Sequence, residues 1–331
     1  MSNLLMPRLR HCTLIDDIEN DKTTIVVGKE YFSIERLAGG RDDFLIIKSL
    51  MDGRHTVKQI SSLSGIDLSN VIDVVEMFDS NGLLQQRNAS DTISCDEFLM
   101  KIEDTTCMWR RQIGLHNLFH GLLLKKYRVE VFLGLLIETF HYMKLLPSML
   151  SRVAVYINDE EHKELILKYA NEEMFHYLPC LKALSKIERI GDSVKDSHPT
   201  MGTLSLIRNF ESIAIKNSLS LICCIQFVEA RVSEMESAEK NLRAIANVYG
   251  LLDAVEPYIS HMKYDINMEH SNLLSQSLSS RKSLSMADVH HCINDMHDIK
   301  HCFDLFHDDV IKYYGDISNY IPRLSVDYFS L

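Results

Sequence analysis

Proline and glycine are scarce in this chain, with 6 and 13 of them in 331 residues. These two residues punctuate chains into turns and loops. A chain poor in both folds into long regular elements, and the leucine-rich stretches recur at helical spacing, so the elements are expected to be helices. Hydrophobic content of 46% and charged content of 24% are ordinary for a globular protein. A chain this long buries a sizeable core without disulfides, and its length allows about two domains.

The formal net charge is −11. That balance argues against nonspecific nucleic-acid binding, which depends on Lys and Arg neutralising phosphates. The 8 cysteines form no CxxC pair, so zinc-ribbon and disulfide-scaffold frameworks have no support. Reduced thiols in a cytoplasmic protein are the expectation. The stretch from Met1 to Asp16 has no apolar run ending in a cleavage site. The longest greasy run, Val129 to Leu150, carries Glu130, Glu138, His141 and Lys144, and reads as a buried amphipathic helix rather than a membrane span.

The expected organisation is an N-terminal segment (1–21), a small module (22–87), a linker with the start of a first helix (88–108), and a large helical domain (109–331). In the module, Thr23–Val27 and Tyr31–Ile34 are β-branched and aromatic, with Gly28-Lys29-Glu30 between them, and read as a hairpin. Helical spacing follows from Asp42 to Leu50 and ends at Asp52-Gly53. Thr56 caps a short helix, Ser64-Gly65 ends it, and a third helix runs to Asn81-Gly82. Short helices around a glycine turn, flanked by strands, make a winged-helix-like α/β unit. The run Phe44-Leu45-Ile46-Ile47-Lys48-Ser49-Leu50-Met51-Asp52-Gly53-Arg54-His55-Thr56-Val57-Lys58-Gln59-Ile60, closing in Asn81-Gly82-Leu83-Leu84, resembles the PqqD-like peptide-binding domain. That resemblance implies recognition of a precursor peptide or carrier. The alternative is a DNA-binding winged helix in a ligand-sensing regulator. Against it, the Ser69–Asp79 helix carries Asp73, Glu76 and Asp79 instead of a basic face.

Beyond residue 96 the pattern predicts a bundle, with helices over Glu97–Gly121, Val129–Leu146, Pro147–Ile157, Glu160–Ile190, Thr203–Met235, Ser237–Tyr249, Leu251–Ser279 and Met286–Tyr314. Glu138 and His141 share one helical segment, as do Glu173 and His176. Glu229 follows a long apolar run. His261 and Asp265 stand four apart, and His270 comes later. Residues three or four apart share a helix face, and bundles build carboxylate–imidazole metal sites by projecting such pairs inward. A buried carboxylate needs a cation, a metal or a hydrogen-bond network. One pair alone reads more readily as a solvated or capped helix face.

Taken together, the order Glu, Glu-x-x-His, Glu, His-x-x-x-Asp with a later His is similar to the heme-oxygenase-like diiron oxidases, which share their fold with TenA-like thiaminases and PqqC-like oxidases. The resemblance covers about Trp109 to Leu274. It implies a heme-oxygenase-like helical bundle, often a homodimer, with two Fe(II) ions and O2 as co-substrate. Glu138, Glu173, His176, Glu229, His261, Asp265 and His270 would be the metal ligands. Glu229 would be the bridging or mobile one, with a catalytic role, and Glu172 the fallback for Glu173. The implied activity is oxidation of a small amine, an amino acid, a fatty acid or a peptide-borne residue. The family places its last histidine three residues after the aspartate, where this chain has Met268. On a straight helix His270 lies about 180° from His261, so it reaches the site only if the helix is wound wide or broken. The alternative within the fold is a metal-free oxidase or small-molecule-binding protein.

Two further features compete. The C-terminal stretch holds His290, His291, His297, His301 and His307, with Asp304 and Asp308 on a face similar to that of His297 and His301; it reads as a polar helix face, and a transition-metal site is the other possibility. Cys223-Cys224 lies in an apolar run and reads as core; a thiaminase-type nucleophile is the other possibility. No phosphate-binding glycine loop, dinucleotide fingerprint or serine-hydrolase elbow is present.

Overall fold

The computed structural model describes residues 6–17, 22–27, 30–35, 40–85, 91–229, 231–268 and 272–326. The chain divides into two compact units, Met1–Asp91 and Thr92–Leu331. Residues 92–108 therefore belong to the helical unit, which begins earlier than the motif order implies.

In the first unit, β1 (Thr13–Asp17), β2 (Lys22–Val27) and β3 (Glu30–Glu35) form an antiparallel sheet with β2 in the centre. Thr23, Ile25 and Val27 are buried on alternate positions of β2, the period of a half-buried strand. Strand β1 lies in the segment before residue 22, where no element was expected. Three helices follow: α1 (Gly40–Leu50), α2 (Val57–Ser64) and α3 (Leu68–Ser80). Thr56 and Gln59 form a reciprocal capping box at the start of α2, which satisfies two otherwise orphaned donors. Gly65 ends α2 at φ 73°, a conformation that glycine adopts without penalty. Phe44 and Phe78 meet edge-on at 5.9 Å in a core with Ile25, Ile47, Ile60 and Val75.

The second unit is helical: α4 (Cys95–Gly114), α5 (Asn117–Leu123), α6 (Val129–Val153), α7 (Glu160–Glu173), α8 (Tyr177–Ser185), α9 (Met201–Lys216), α10 (Ser218–Val228), α11 (Val232–Tyr249), α12 (Leu252–Asn267), α13 (Leu273–Ser277) and α14 (Met286–Gly315). Strands β4 (Thr92–Ser94) and β5 (Ser283–Ser285) pair antiparallel. Each runs into a helix whose N-cap is its own last serine: Ser94 accepts from the Glu97 N–H, and Ser285 from the Asp288 N–H. No helix among the described residues is long and apolar enough to cross a membrane.

Helix α6 is the centre. Every residue from Val131 to Glu138 is buried, the signature of a helix enclosed on all faces. Helix α14 packs along α6, α9 and α10. Its Tyr314 ring lies over Gly134, where a Cβ would sit 2.2 Å from the ring. Only glycine admits that approach. The hydroxyl of Tyr314 then reaches Glu138, one turn further along α6, at 2.7 Å.

Helix boundaries differ from the sequence expectation in instructive ways. Pro147 was expected to separate two helices, yet α6 runs through it. An interior proline costs ~3 kcal/mol, and the burial of Leu146, Met149, Leu150 and Val153 on both sides of it outweighs that cost. Pro179 has the opposite effect. The expected helix Glu160–Ile190 ends at Glu173 and restarts at Tyr177. Its ring would collide with the Phe175 carbonyl of a continuous helix, whereas in the first turn of α8 its missing N–H costs nothing. The expected helix Thr203–Met235 is cut at Asn217, whose side chain caps α10 through the Ser220 N–H, and again after Val228. The expected helix Leu251–Ser279 ends at Asn267.

Burial also sets an acid limit on stability. It pushes His307 down to about 3 and His141 likewise to about 3, so both are neutral in the fold. Unfolded histidine titrates near 6.5. Between these values the unfolded chain binds more protons, so stability is full above pH 6.5 and falls as the pH drops towards 3, by up to ~1.4 kcal/mol per pH unit for each residue. Phe119 and Phe306 flank the His307 ring. His307→Phe is therefore expected to fold and to shallow the loss of melting temperature between pH 6.5 and 4, measured by thermal melts across that range.

Candidate metal centre

The break between α7 and α8 brings the chemistry together. Glu173 is the last residue of α7 and His176 precedes α8, so their side chains meet across the turn that Pro179 forces. His261 and Asp265 stand one turn apart on α12. One ligand atom from each of Glu173, His176, His261 and Asp265 lies within 4.8 Å of all the others.

The contacts within this group are tight. His176 Nδ1 is 2.8 Å from a Glu173 oxygen. His261 Nε2 lies 3.8 Å from the same oxygen, and its Nδ1 3.2 Å from Asp265. The two imidazoles meet edge-on at 5.1 Å, and the Tyr264 ring packs on His176 at 4.8 Å. Both carboxylates are buried, and the imidazoles are about one-fifth exposed. Two nitrogens and two carboxylate oxygens converge, a donor set that suits first-row divalent ions such as Fe(II). A cation there would also offset two buried negative charges. The residues fit a metal. Glu173, rather than its neighbour Glu172, is the member of the group.

Glu229 is buried just beyond the end of α10. It accepts a hydrogen bond from the Tyr169 hydroxyl. Tyr169 stands four residues before Glu173 on α7, hence on the same helix face. The Tyr142 hydroxyl, from α6, is buried with no hydrogen-bond partner among the described residues. After burial itself, the carboxylates of Glu229, Glu173 and Asp265 are what hold its acidity down. Neither tyrosine was singled out in the sequence. The Tyr169–Glu173 spacing of four was the available signal, masked because tyrosine at helical spacing usually means core.

Glu138 is placed elsewhere. It is fully buried and accepts from the Thr200 N–H at 3.0 Å, from the Thr203 hydroxyl, and from Tyr314 at 2.7 Å. Burial raises its carboxyl above the usual range against the pull of those donors. It is absent from the converging four, so the expected first-helix ligand is committed to a hydrogen-bond network. His141 bonds the Ser197 hydroxyl at 3.0 Å. His270 lies outside the described residues.

The histidine-rich helix α14 does not gather a metal group among the described residues. His297 packs on Trp109 and His301, Lys300 takes Asp304 at 2.6 Å, and His116 takes Asp308 at 3.2 Å. Cys223 and Cys224 are fully buried, and burial pushes both thiols well up. That leaves the thiolate-nucleophile reading without support.

No protein-family model matches the sequence, and no curated protein matches it. Solved structures do match. A domain of unknown function from Shewanella denitrificans, described as having a heme oxygenase-like fold, aligns with a TM-score of 0.57 at 22% identity, over 67% of this chain and 97% of its own. Two-thirds of this protein thus has a heme-oxygenase-like fold. A TenA family transcription regulator from a Silicibacter species (TM-score 0.45, 16% identity, 65% of this chain and 96% of that one) and a TenA homolog from Pseudomonas syringae pv. tomato (0.47, 10%, 69% and 99%) also align. The heme-oxygenase-like likeness establishes the fold; the chemistry rests on the converging side chains.

If the four residues bind metal, adding Co(II) or Fe(II) raises the melting temperature of the native chain, because a ligand held only by the folded state stabilises it, by ~2.7 kcal/mol at a hundredfold excess over Kd. His261→Ala and Asp265→Ala are expected to lose that rise. Glu138→Gln is expected to melt lower at baseline yet keep it.

Proposed function

We propose that this protein is an O2-dependent, non-heme iron oxidoreductase acting on a small amine, an amino acid, a fatty acid or a peptide-borne residue. The observation that carries this reading is the convergence of Glu173, His176, His261 and Asp265 inside a helical core. Bound iron would supply O2 activation and the redox chemistry. The protein's own groups do the rest. Glu173 lies 2.8 Å from His176 and orients that imidazole, while His261 stands 3.8 Å from the same oxygen. Tyr169 fixes the Glu229 side chain, and Tyr142 offers a buried O–H donor in the field of the site's carboxylates. Tyr142, Phe303, Phe227 and Trp109 meet in sequence at 5.9, 6.5 and 6.2 Å, an aromatic wall that keeps water out.

The resemblance implies two Fe(II) ions, with Glu229 serving the second. The Tyr169–Glu229 hydrogen bond favours a second arrangement, in which the four-residue group holds a single ion and Glu229 stays in its outer sphere. Metal analysis after anaerobic Fe(II) loading separates them. Two irons per chain that fall to one in Glu229→Ala support the two-ion form; one iron unchanged by that substitution supports the other. In either form oxygen uptake requires iron and is lost in His261→Ala. A native chain that binds no Fe(II) sinks the proposal and leaves the metal-free reading of the fold.

For the N-terminal unit we propose recognition of a precursor peptide or carrier. Supporting it are the two outer strands β1 and β3, which an extended segment can join, the exposed Tyr31 on β3, and the acidic residues Asp73, Glu76 and Asp79 on α3. A gel shift on double-stranded DNA at physiological salt is expected to be negative; a specific shift would favour the regulator instead.

A further inference from the structure

Two arginines lie on the Glu229 side of the centre with donors that nothing among the described residues satisfies. Arg110, on α4, gives its Nε to Glu234 at 3.0 Å, while its Nη1 is buried without a partner. Arg231, which precedes α11, has a side chain only 9% exposed. Its Nη1 pairs with Glu103, and its Nε and Nη2 are both buried without a partner. Glu234 bears on both guanidiniums, and Glu229 also bears on Arg110. The Thr106 hydroxyl, one turn before Arg110 on α4, is likewise buried and unpartnered.

Buried charged donors left unpaired are costly and rare. Here they belong to one pattern. Nε and Nη2 are the side edge of a guanidinium, two parallel N–H groups spaced for the two oxygens of a carboxylate. The remaining Glu234 oxygen is itself buried and unpartnered, but one oxygen cannot serve three nitrogens. With Glu103, Glu234 and Glu229 close by, a dianion such as phosphate is disfavoured, and the flat pair of donors matches a carboxylate in geometry. Trp109 precedes Arg110 on α4 and closes the aromatic series that begins at Tyr142.

We propose that Arg231 and Arg110 form a subsite for the carboxylate of the substrate, which is therefore a small monocarboxylic acid. This rests on the oxidoreductase reading for its purpose, but its test does not. Trp109 is the chain's one tryptophan and is buried, so its fluorescence reports on this region. The full-length protein is titrated with sodium hexanoate and with hexanamide at constant ionic strength, metal-free and again after Fe(II) loading. A saturable change with hexanoate and none with hexanamide is expected. Arg231→Gln should weaken hexanoate binding at least about tenfold. Arg231→Lys should weaken it too, because an ammonium cannot present two parallel donors; this variant serves if Arg231→Gln fails to fold by circular dichroism. Both variants should bind Fe(II) as the native chain does, so a missing metal and a missing subsite give different results. Equal responses to hexanoate and hexanamide in both metal states would overturn the proposal. So would native-like hexanoate binding in a folded Arg231 variant, leaving the arginines as an internal network closed on Glu234.

Discussion

The helical unit depends on one constraint, that helix α6 is enclosed on every side from Val131 to Glu138. A helix in that position must meet neighbours all round, and any polar group on it must be satisfied inside the protein. Gly134 and Glu138 show both demands in one turn and a bit of helix. The glycine lets Tyr314 of α14 approach the backbone, and the same tyrosine then hydrogen-bonds the one carboxylate in the run. Thr200 and Thr203 complete the set from the start of α9. The longest helix of the unit, α14, is thereby fixed against its centre.

Buried acids find two different solutions in this fold. Glu138 is met by neutral donors, which compensate a carboxyl whose acidity burial has already weakened. Glu173 and Asp265 are met by imidazoles, which can equally turn a nitrogen towards a cation. Glu229 is intermediate, held by a tyrosine hydroxyl and in the field of a buried arginine. Neutral hydrogen-bond donors stabilise one acid in place; imidazoles beside two acids form a group that could hold a metal ion.

Interruptions in the helices matter as much as the helices. Glu173 and His176 face each other because α7 stops and α8 restarts around Pro179. Glu229 lies where α10 has ended, and Arg231 where α11 has not yet begun. Side chains at element ends escape the 3.6-residue repeat, which lets several converge from a short stretch of chain.

Much of this was legible in the sequence. Scarce proline and glycine and the apolar period give the mainly helical class, and the i, i+3 and i, i+4 spacings mark Glu173 with His176 and His261 with Asp265. These are local properties, carried by neighbouring residues: His261 and Asp265 keep their spacing within α12, and Glu173 and His176 are near enough in sequence to meet across the turn between α7 and α8. Other features were not local. Glu138 and Glu173 look alike in sequence, each three residues before a histidine. Only the packing of α9 and α14 against α6 gives Glu138 its donors, and only the turn at Pro179 directs Glu173 to α12. Tyr142, Arg110 and Arg231 carried no signal, and Tyr169 only its masked spacing from Glu173, for the same reason: what a buried hydroxyl or guanidinium faces depends on which helices meet. The sequence determined the mainly helical class and the candidate ligand pairs. The tertiary structure decided which acids converge, because burial and partners exist only once the helices are packed.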